Sequence, residues 1–207
     1  MTVRVKICGL NDPASFAAAV DAGADWVGFV FFPPSPRAVT PAQAAALSAT
    51  RPGGPGRVGL FVDPADSEIA AVLDAVQLDA LQLYTDAARA AAIGARFGRP
   101  VWRAIGVAAP ADLPAEAGAA ARFVIEAKPP RGATRPGGNA VAFDWPILRG
   151  WTPPAPWILA GGLTPETVAG AIAASGAEAV DVSSGVETAP GVKDPARIRA
   201  FIAAAGG

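Results

Sequence analysis

Among 207 residues there is one cysteine, Cys8, and no histidine. That pair of counts narrows the available chemistry at once. Ser-His-Asp and Cys-His catalysis in their usual form are excluded. So are imidazole metal sites, Cys-rich zinc sites and any intrachain disulfide. Proton transfer must fall to Asp, Glu, Lys, Tyr or the thiol itself. Two candidates each close an apolar run. Cys8 follows Val5-Lys6-Ile7, and Glu126 follows Phe123-Val124-Ile125. A lone thiol is either a small buried hydrophobe or, where Lys6 and an anion-binding loop favour the thiolate, a general base with a reference pKa of about 8.5. A carboxyl ending a strand is either ion-paired, here with Lys128 or Arg103, or a general acid whose pKa partial desolvation raises.

Two further clusters suit anions. Gly161-Gly162 and Ser183-Ser184-Gly185 combine glycines, which let backbone N–H groups approach an oxyanion, with hydroxyl donors. Arg37, in Ser35-Pro36-Arg37, is either a solvated loop residue or a clamp that holds a carboxylate by two parallel hydrogen bonds.

These residues need a scaffold that brings them together. Short apolar runs at 3–7, 26–31, 57–61, 80–83, 101–105, 123–126, 157–160 and 179–182 read as eight parallel strands buried on both faces. Between them, Asp12-Pro13, Thr40-Pro41, Asp63-Pro64, Thr164-Pro165 and Asp194-Pro195 place a capping oxygen before a proline, the signature of a helix start. Ala-rich stretches follow, at 41–49, 86–97, 165–174 and 195–204. Strand, loop and capped helix repeat without a break in composition. The pattern predicts one domain over 1–207, a compact α/β fold of the closed (β/α)8 TIM-barrel type. An open doubly wound sheet is the rival, weakened because no Gly-rich dinucleotide fingerprint follows the first strand. Residues 127–142 and 150–156, rich in Pro and Gly, read as long loops.

In such a barrel the active site lies at the C-terminal ends of the strands, and phosphate commonly binds at the loops after strands 7 and 8. Cys8, Glu126, Gly161-Gly162, Asp181 and Ser183-Ser184 then fall at one mouth. A phosphosugar is the expected ligand.

Composition bounds the partners. The chain is 52% hydrophobic and 17% charged with a formal net charge of −1. That excludes disorder and offers no basic surplus for nucleic acid and no polybasic membrane tail. Lys6 and Asn11-Asp12-Pro13 interrupt any signal-like apolar run at the N-terminus, and no segment reaches the roughly 18 apolar residues of a membrane span. The cytoplasm is the expected compartment. Protein partners are not legible.

Taken together, these motifs resemble one family. Lys6-Ile7-Cys8-Gly9, Gly28-Phe29-Val30-Phe31 with Ser35-Pro36-Arg37, Leu81-Gln82-Leu83, and Pro136-Gly137-Gly138 with Phe143-Asp144-Trp145 occur in order. They are followed by Leu159-Ala160-Gly161-Gly162-Leu163-Thr164-Pro165-Glu166, Asp181-Val182-Ser183-Ser184-Gly185-Val186-Glu187 and Pro190-Gly191-Val192-Lys193-Asp194. Spread over nearly the whole chain, they are similar to the phosphoribosylanthranilate isomerases of tryptophan biosynthesis. The resemblance implies an Amadori rearrangement of an aminoaldose phosphate to an aminoketose, with no metal or organic cofactor. By that likeness Cys8 is the general base at ribose C2′ and Glu126 the general acid at the ring oxygen. Arg37 holds the anthranilate carboxylate, Gly161, Gly162, Ser183 and Ser184 hold the phosphate, Asp181 faces the ring, and Gln82 and Tyr84 line the pocket. Two positions depart from the family pattern: Glu126 stands where Asp is usual, one methylene longer, and Tyr84-Thr85 stands where His-Gly is usual. Two rival readings remain at this level. One is a Schiff-base aldolase using Lys6 or Lys128; the other is a barrel that binds phosphorylated ligands without turning them over.

Overall fold

The eight apolar runs become eight parallel strands in a computed structural model that describes residues 2–129, 132 and 144–206. They are β1 (Arg4–Cys8), β2 (Trp26–Val30), β3 (Gly56–Val62), β4 (Ala80–Tyr84), β5 (Val101–Val107), β6 (Ala120–Ala127), β7 (Trp157–Leu159) and β8 (Ala179–Val182). They pair in sequence order, and β8 returns to β1 to close the barrel. The open doubly wound alternative is thereby excluded.

Alternation along each strand divides the side chains. Outward residues such as Ile7, Phe29, Leu81, Phe123 and Val180 join the main core beneath the helices. Inward residues Val58, Ala80, Trp102, Val124, Ile158 and Ala179 fill the barrel interior. Toward the N-terminal ends of the strands, the Arg122 guanidinium lies 4.9 Å from the Trp26 ring and 5.0 Å from that of Trp102. The same parity that turns Ala80 and Val124 inward turns Gln82, Tyr84 and Glu126 inward, nearer the C-terminal ends.

Helices α1 (Pro13–Asp21), α2 (Pro41–Ala49) and α6 (Pro195–Gly206) begin at the expected prolines. Asp12 accepts from the Ala14 and Ser15 N–H groups, Thr40 and Gln43 form a reciprocal capping box, and Asp194 accepts from Ala196. Asp86 caps α4 (Ala87–Phe97) in the same way. Two other Asp/Thr-Pro pairs do not start a helix. Asp63 adopts φ 42° at the exit of β3. Helix α3 (Asp66–Ala75) then starts later, with Glu68 reaching back to the Ala65 N–H. Thr164 donates its N–H to Thr167 Oγ1, a local turn that delays α5 (Val168–Ser175).

The regular repeat also fails after two strands. Only a 3-10 turn, Pro110–Asp112, follows β5, and only Trp145–Leu148 follows β6 among the described residues. Pro110 and Pro114 each remove a donor and Gly118 takes φ 54°, so the Ala-rich stretch between β5 and β6 does not sustain an α-helix. After β8 the chain makes a small unforeseen hairpin, β9 (Glu187–Ala189) with β10 (Val192–Lys193). Residues 150–156 form the expected irregular connection. Most of the expected loop at 127–142, with Pro136-Gly137-Gly138 and Phe143, lies outside the described residues. No helix of the described residues is long and apolar enough to cross a membrane.

Candidate active site

Four strands deliver ionisable side chains to the upper interior. From β1 come Lys6 and Cys8, both buried, because Val5 and Ile7 take the outward positions. Lys6 pairs in register with Asp181 of β8, and its Nζ donates to Asp181 Oδ1 at 3.0 Å. Lys6 is wholly enclosed. Burial opposes its charge, but Asp181 and Cys8 outweigh that and hold its pKa above the ordinary value.

Cys8 pairs in register with Gly28 of β2. A Cβ at Gly28 would stand 2.9 Å from Cys8 Sγ and 3.3 Å from Lys6 Nζ. The glycine therefore keeps the space that thiol and ammonium occupy. Burial pushes the Cys8 thiol up, against the pull of Lys6. At neutral pH the resting group is the thiol.

Glu126 enters from β6 and Tyr84 from β4. The Glu126 carboxyl is buried and its pKa rises to about 8, through desolvation above all. The Tyr84 hydroxyl and Lys6 offset part of this rise, and Asp181 adds to it. Tyr84 is itself pushed well above its ordinary value by burial and by Glu126, with smaller contributions from Cys8 and Asp181. Thus the acid, the thiol, the phenol and the Lys6–Asp181 pair share one electrostatic environment. Neither suggested ion pair of Glu126 forms: Lys128 reaches Asp112 at 3.5 Å on the surface, and no ion pair joins Glu126 to Arg103 among the described residues.

Gln82, one inward position below Tyr84, is fully buried, and neither its Nε2 nor its Oε1 has a partner among the described residues. An unmet amide in a closed interior costs about 1–3 kcal/mol. Its position directly beneath the ionisable cluster makes it a candidate to meet a polar ligand.

The loops after β7 and β8 interlock. Gly161 and Gly162 take φ 84° and 68°, a conformation that favours glycine. A Cβ at Gly161 would lie 2.8 Å from the Ala127 nitrogen and 3.4 Å from Glu126 Cα. Ser183 leads into a single 3-10 turn, Ser184–Val186. A Cβ on Gly185 would collide with the Leu163 carbonyl. Lys193 Nζ donates to the Ser183 carbonyl at 2.8 Å and Oγ at 3.2 Å, which fixes that loop from behind.

Arg37 is buried rather than solvated. Its Nε and Nη2 donate to Glu187 Oε1 and Oε2 at 2.6 and 2.8 Å. Its stem crosses Gly9, whose φ is 74° and whose Cβ, if present, would come within 2.6 Å of Arg37 Cδ. Arg37 thus lies over the loop that follows Cys8, with one edge already bound.

The structure gathers Cys8, Glu126, Asp181, Tyr84 and Gln82 in the upper interior. Arg37, Gly161-Gly162 and Ser183-Ser184 stand on loops around it. Glu187 and Lys193 were missed as functional residues. Their only sequence signal was their place in the closing motifs, since strands of two and three residues are too short to show periodicity. A separate cavity of about 610 Å³ opens at the other end of the barrel, among Arg4, Arg122, Trp151, Trp157 and Glu178. It contains none of the residues singled out from the sequence.

The sequence model of the family described as N-(5′-phosphoribosyl)anthranilate (PRA) isomerase matches residues 5–204. The N-(5′-phosphoribosyl)anthranilate isomerase of Acidiphilium cryptum is 59% identical over 202 residues, 98% of each chain. That of Paracoccus denitrificans is 58% identical over 210 residues, covering 99% of this chain and 98% of the relative. Among solved structures, the phosphoribosylanthranilate isomerase of Thermotoga maritima superposes with a TM-score of 0.85 at 36% identity, covering 98% of both chains. A further isomerase structure, in complex with reduced 1-(o-carboxyphenylamino)-1-deoxyribulose 5-phosphate, gives a TM-score of 0.82 at 35% identity over 98% of both chains.

Proposed function

The chain belongs to the N-(5′-phosphoribosyl)anthranilate isomerase family, and from that premise we propose which of its residues carry the reaction. The reaction is an intramolecular aldose–ketose isomerisation in tryptophan biosynthesis. N-(5′-phosphoribosyl)anthranilate becomes 1-(2-carboxyphenylamino)-1-deoxyribulose 5-phosphate. One observation supports the assignment most directly: a carboxyl kept protonated to about pH 8 and a buried thiol, on β6 and β1, turned into one interior.

Glu126 is the general acid. Protonated at neutral pH, it gives its proton to the ribose ring oxygen as the C1′–O bond breaks. The electrons of the anilino nitrogen move to C1′, and an iminium forms. That cation acidifies the proton on C2′. Cys8, as thiolate, takes this proton and an enolamine results. Its tautomerisation moves one proton onto C1′ and one off the C2′ hydroxyl, so the net change is isomerisation. Burial, reinforced by the nearby Asp181 carboxylate, keeps Cys8 protonated, so thiolate depends on positive charge nearby. Lys6 supplies it permanently and the iminium adds to it once the ring opens. The active form, thiolate with carboxylic acid, is a minor protonation state, because the base has the higher pKa of the two. Such a pair gives a bell-shaped dependence of kcat/KM on pH.

Arg37 binds the anthranilate carboxylate by its remaining Nη1 end. Backbone amides at Gly161-Gly162 and Ser183-Ser184 bind the phosphate, Asp181 faces the sugar, and Gln82 and Tyr84 line it. We place the enzyme in the cytoplasm as one domain over 1–207, acting on a small phosphosugar with no nucleic-acid or membrane partner. The aldolase alternative lacks support. Lys6 is paired and its pKa raised, the reverse of what an attacking amine needs, and Lys128 is exposed and paired with Asp112.

The test is turnover, followed by loss of substrate fluorescence. Glu126→Gln and Cys8→Ala each lower kcat by about a thousandfold, with circular dichroism unchanged. A folded variant that retains most of its activity removes that residue from the mechanism.

A further inference from the structure

We propose that Glu187 is a positioning residue for substrate, acting through Arg37; the inference rests on the reading of Arg37 as the carboxylate ligand. Glu187 opens β9, immediately after the Ser184–Val186 turn, and its side chain is only 4% exposed. Four donors converge on its carboxylate. Oε1 accepts from Arg37 Nε at 2.6 Å and Lys193 Nζ at 2.9 Å; Oε2 accepts from Arg37 Nη2 at 2.8 Å and the Gly191 N–H at 3.3 Å. Burial opposes its charge, but Arg37 and Lys193 outweigh that and hold it below the ordinary carboxylate range.

Three consequences follow from this geometry. First, a side-on pair occupies the Nε–Nη2 edge of Arg37, so the guanidinium meets substrate end-on through Nη1. Its direction is set by Glu187 and by the stem lying across Gly9, beside Cys8. Second, Arg37 and Lys193 are buried like charges that, among the described residues, this carboxylate alone keeps together. Without it they repel across a short gap. Third, Lys193 also holds the carbonyl and hydroxyl of Ser183. One carboxylate therefore ties the arginine proposed for the carboxylate end of the substrate to the loop proposed for its phosphate end. The spacing of the two anion sites, and hence the length of molecule that fits both, is fixed through Glu187. The sequence offered no hint of the pairing, since Arg37 and Glu187 are 150 residues apart.

The experiment is a double-mutant cycle on steady-state kinetics with N-(5′-phosphoribosyl)anthranilate, using Arg37→Gln, Glu187→Gln and the double variant. Glu187→Gln removes the charge and turns an amide donor toward Arg37 Nη2 or the Gly191 N–H. The expected result is a rise in KM of about ten- to a hundredfold for each single variant, with kcat within about threefold. The double variant falls well short of the product of the two single effects, because the two act as one unit, and any excess over Arg37→Gln alone reports the Lys193–Ser183 arm. Glu187→Asp, which keeps the charge, falls between parent and Glu187→Gln. If Glu187→Gln unfolds, Glu187→Asp takes its place in the cycle under the same criterion. A glutamate needed only for folding would lower the melting temperature and leave KM unmoved. If Arg37→Gln raises KM while the glutamate variant does not, or if the two effects multiply, the inference falls and the reading of Arg37 survives. If Arg37→Gln leaves KM unchanged, that reading falls and the inference falls with it.

Discussion

The two ends of the barrel interior both bury charge, and they handle it in opposite ways. At the N-terminal end, the Arg122 guanidinium packs on the faces of Trp26 and Trp102, which meet edge-on at 5.2 Å. Its Nε and Nη1 have no acceptor among the described residues, and burial with Arg4 nearby lowers its pKa to about 10. It remains a fixed cation at neutral pH, compensated by aromatic faces that cannot titrate. At the C-terminal end, charge is compensated by groups that can each gain or lose a proton: Lys6 by Asp181, Cys8 by Lys6, Glu126 in part by Tyr84. An aromatic floor can stabilise an ion but cannot pass it a proton. The contrast gives a physical reason for the chemistry proposed at one end of the barrel and the packing at the other.

Three substitutions break or sharpen that contrast. The largest effect belongs to Glu126→Gln, which should stabilise the fold while it abolishes turnover. With a folded-state pKa of about 8 against an ordinary 4.5, the carboxyl prefers its protonated form in the native state. Its destabilising effect is absent below the unfolded pKa, grows as pH rises, and is complete above about 8. At pH 7 it amounts to roughly 3 kcal/mol. Urea melts at pH 5, 7 and 8.5 should show the variant's advantage growing with pH; a constant difference would mean that Glu126 is not desolvated.

Gly28→Ala comes next. The new methyl meets Cys8 Sγ at 2.9 Å. Overpacking of this kind costs about 1–3 kcal/mol. Displacement of the thiol by a fraction of an ångström should lower kcat by about tenfold or more. Alkylation of the sole cysteine, followed by mass, would show whether its reactivity has changed; unaltered kcat and alkylation rate would mean that Cys8 and Lys6 are not tightly placed. Arg122→Met should have the smallest effect. Replacing a buried cation with an apolar chain of similar length is often close to neutral. Stability should change by about 1 kcal/mol or less, and kcat/KM by less than twofold. A large loss of activity would show that the two ends are coupled.

Much of this was legible because the barrel rule turns strand position into function. Eight apolar runs located the strands, and their C-terminal ends located Cys8, Glu126 and Asp181. What stayed hidden had no local pattern. Asp63-Pro64 and Thr164-Pro165 look like the three pairs that do begin helices, but a positive φ at Asp63 and the Thr164–Thr167 turn divert them. Proline outweighed alanine between β5 and β6. The partner of Arg37 was legible only as a motif residue, because a contact spanning 150 positions leaves no trace in spacing.

Closure of the barrel by β8 against β1 also orders events during synthesis. The Lys6–Asp181 bond spans 175 residues, so Lys6 meets its carboxylate only after nearly all of the polypeptide has been made. Contacts of such separation slow folding. A nascent chain arrested before Asp181 would hold Cys8 and Lys6 without the carboxylate that pairs with Lys6, so on the proposed reading catalytic competence arrives in a single late step rather than by degrees.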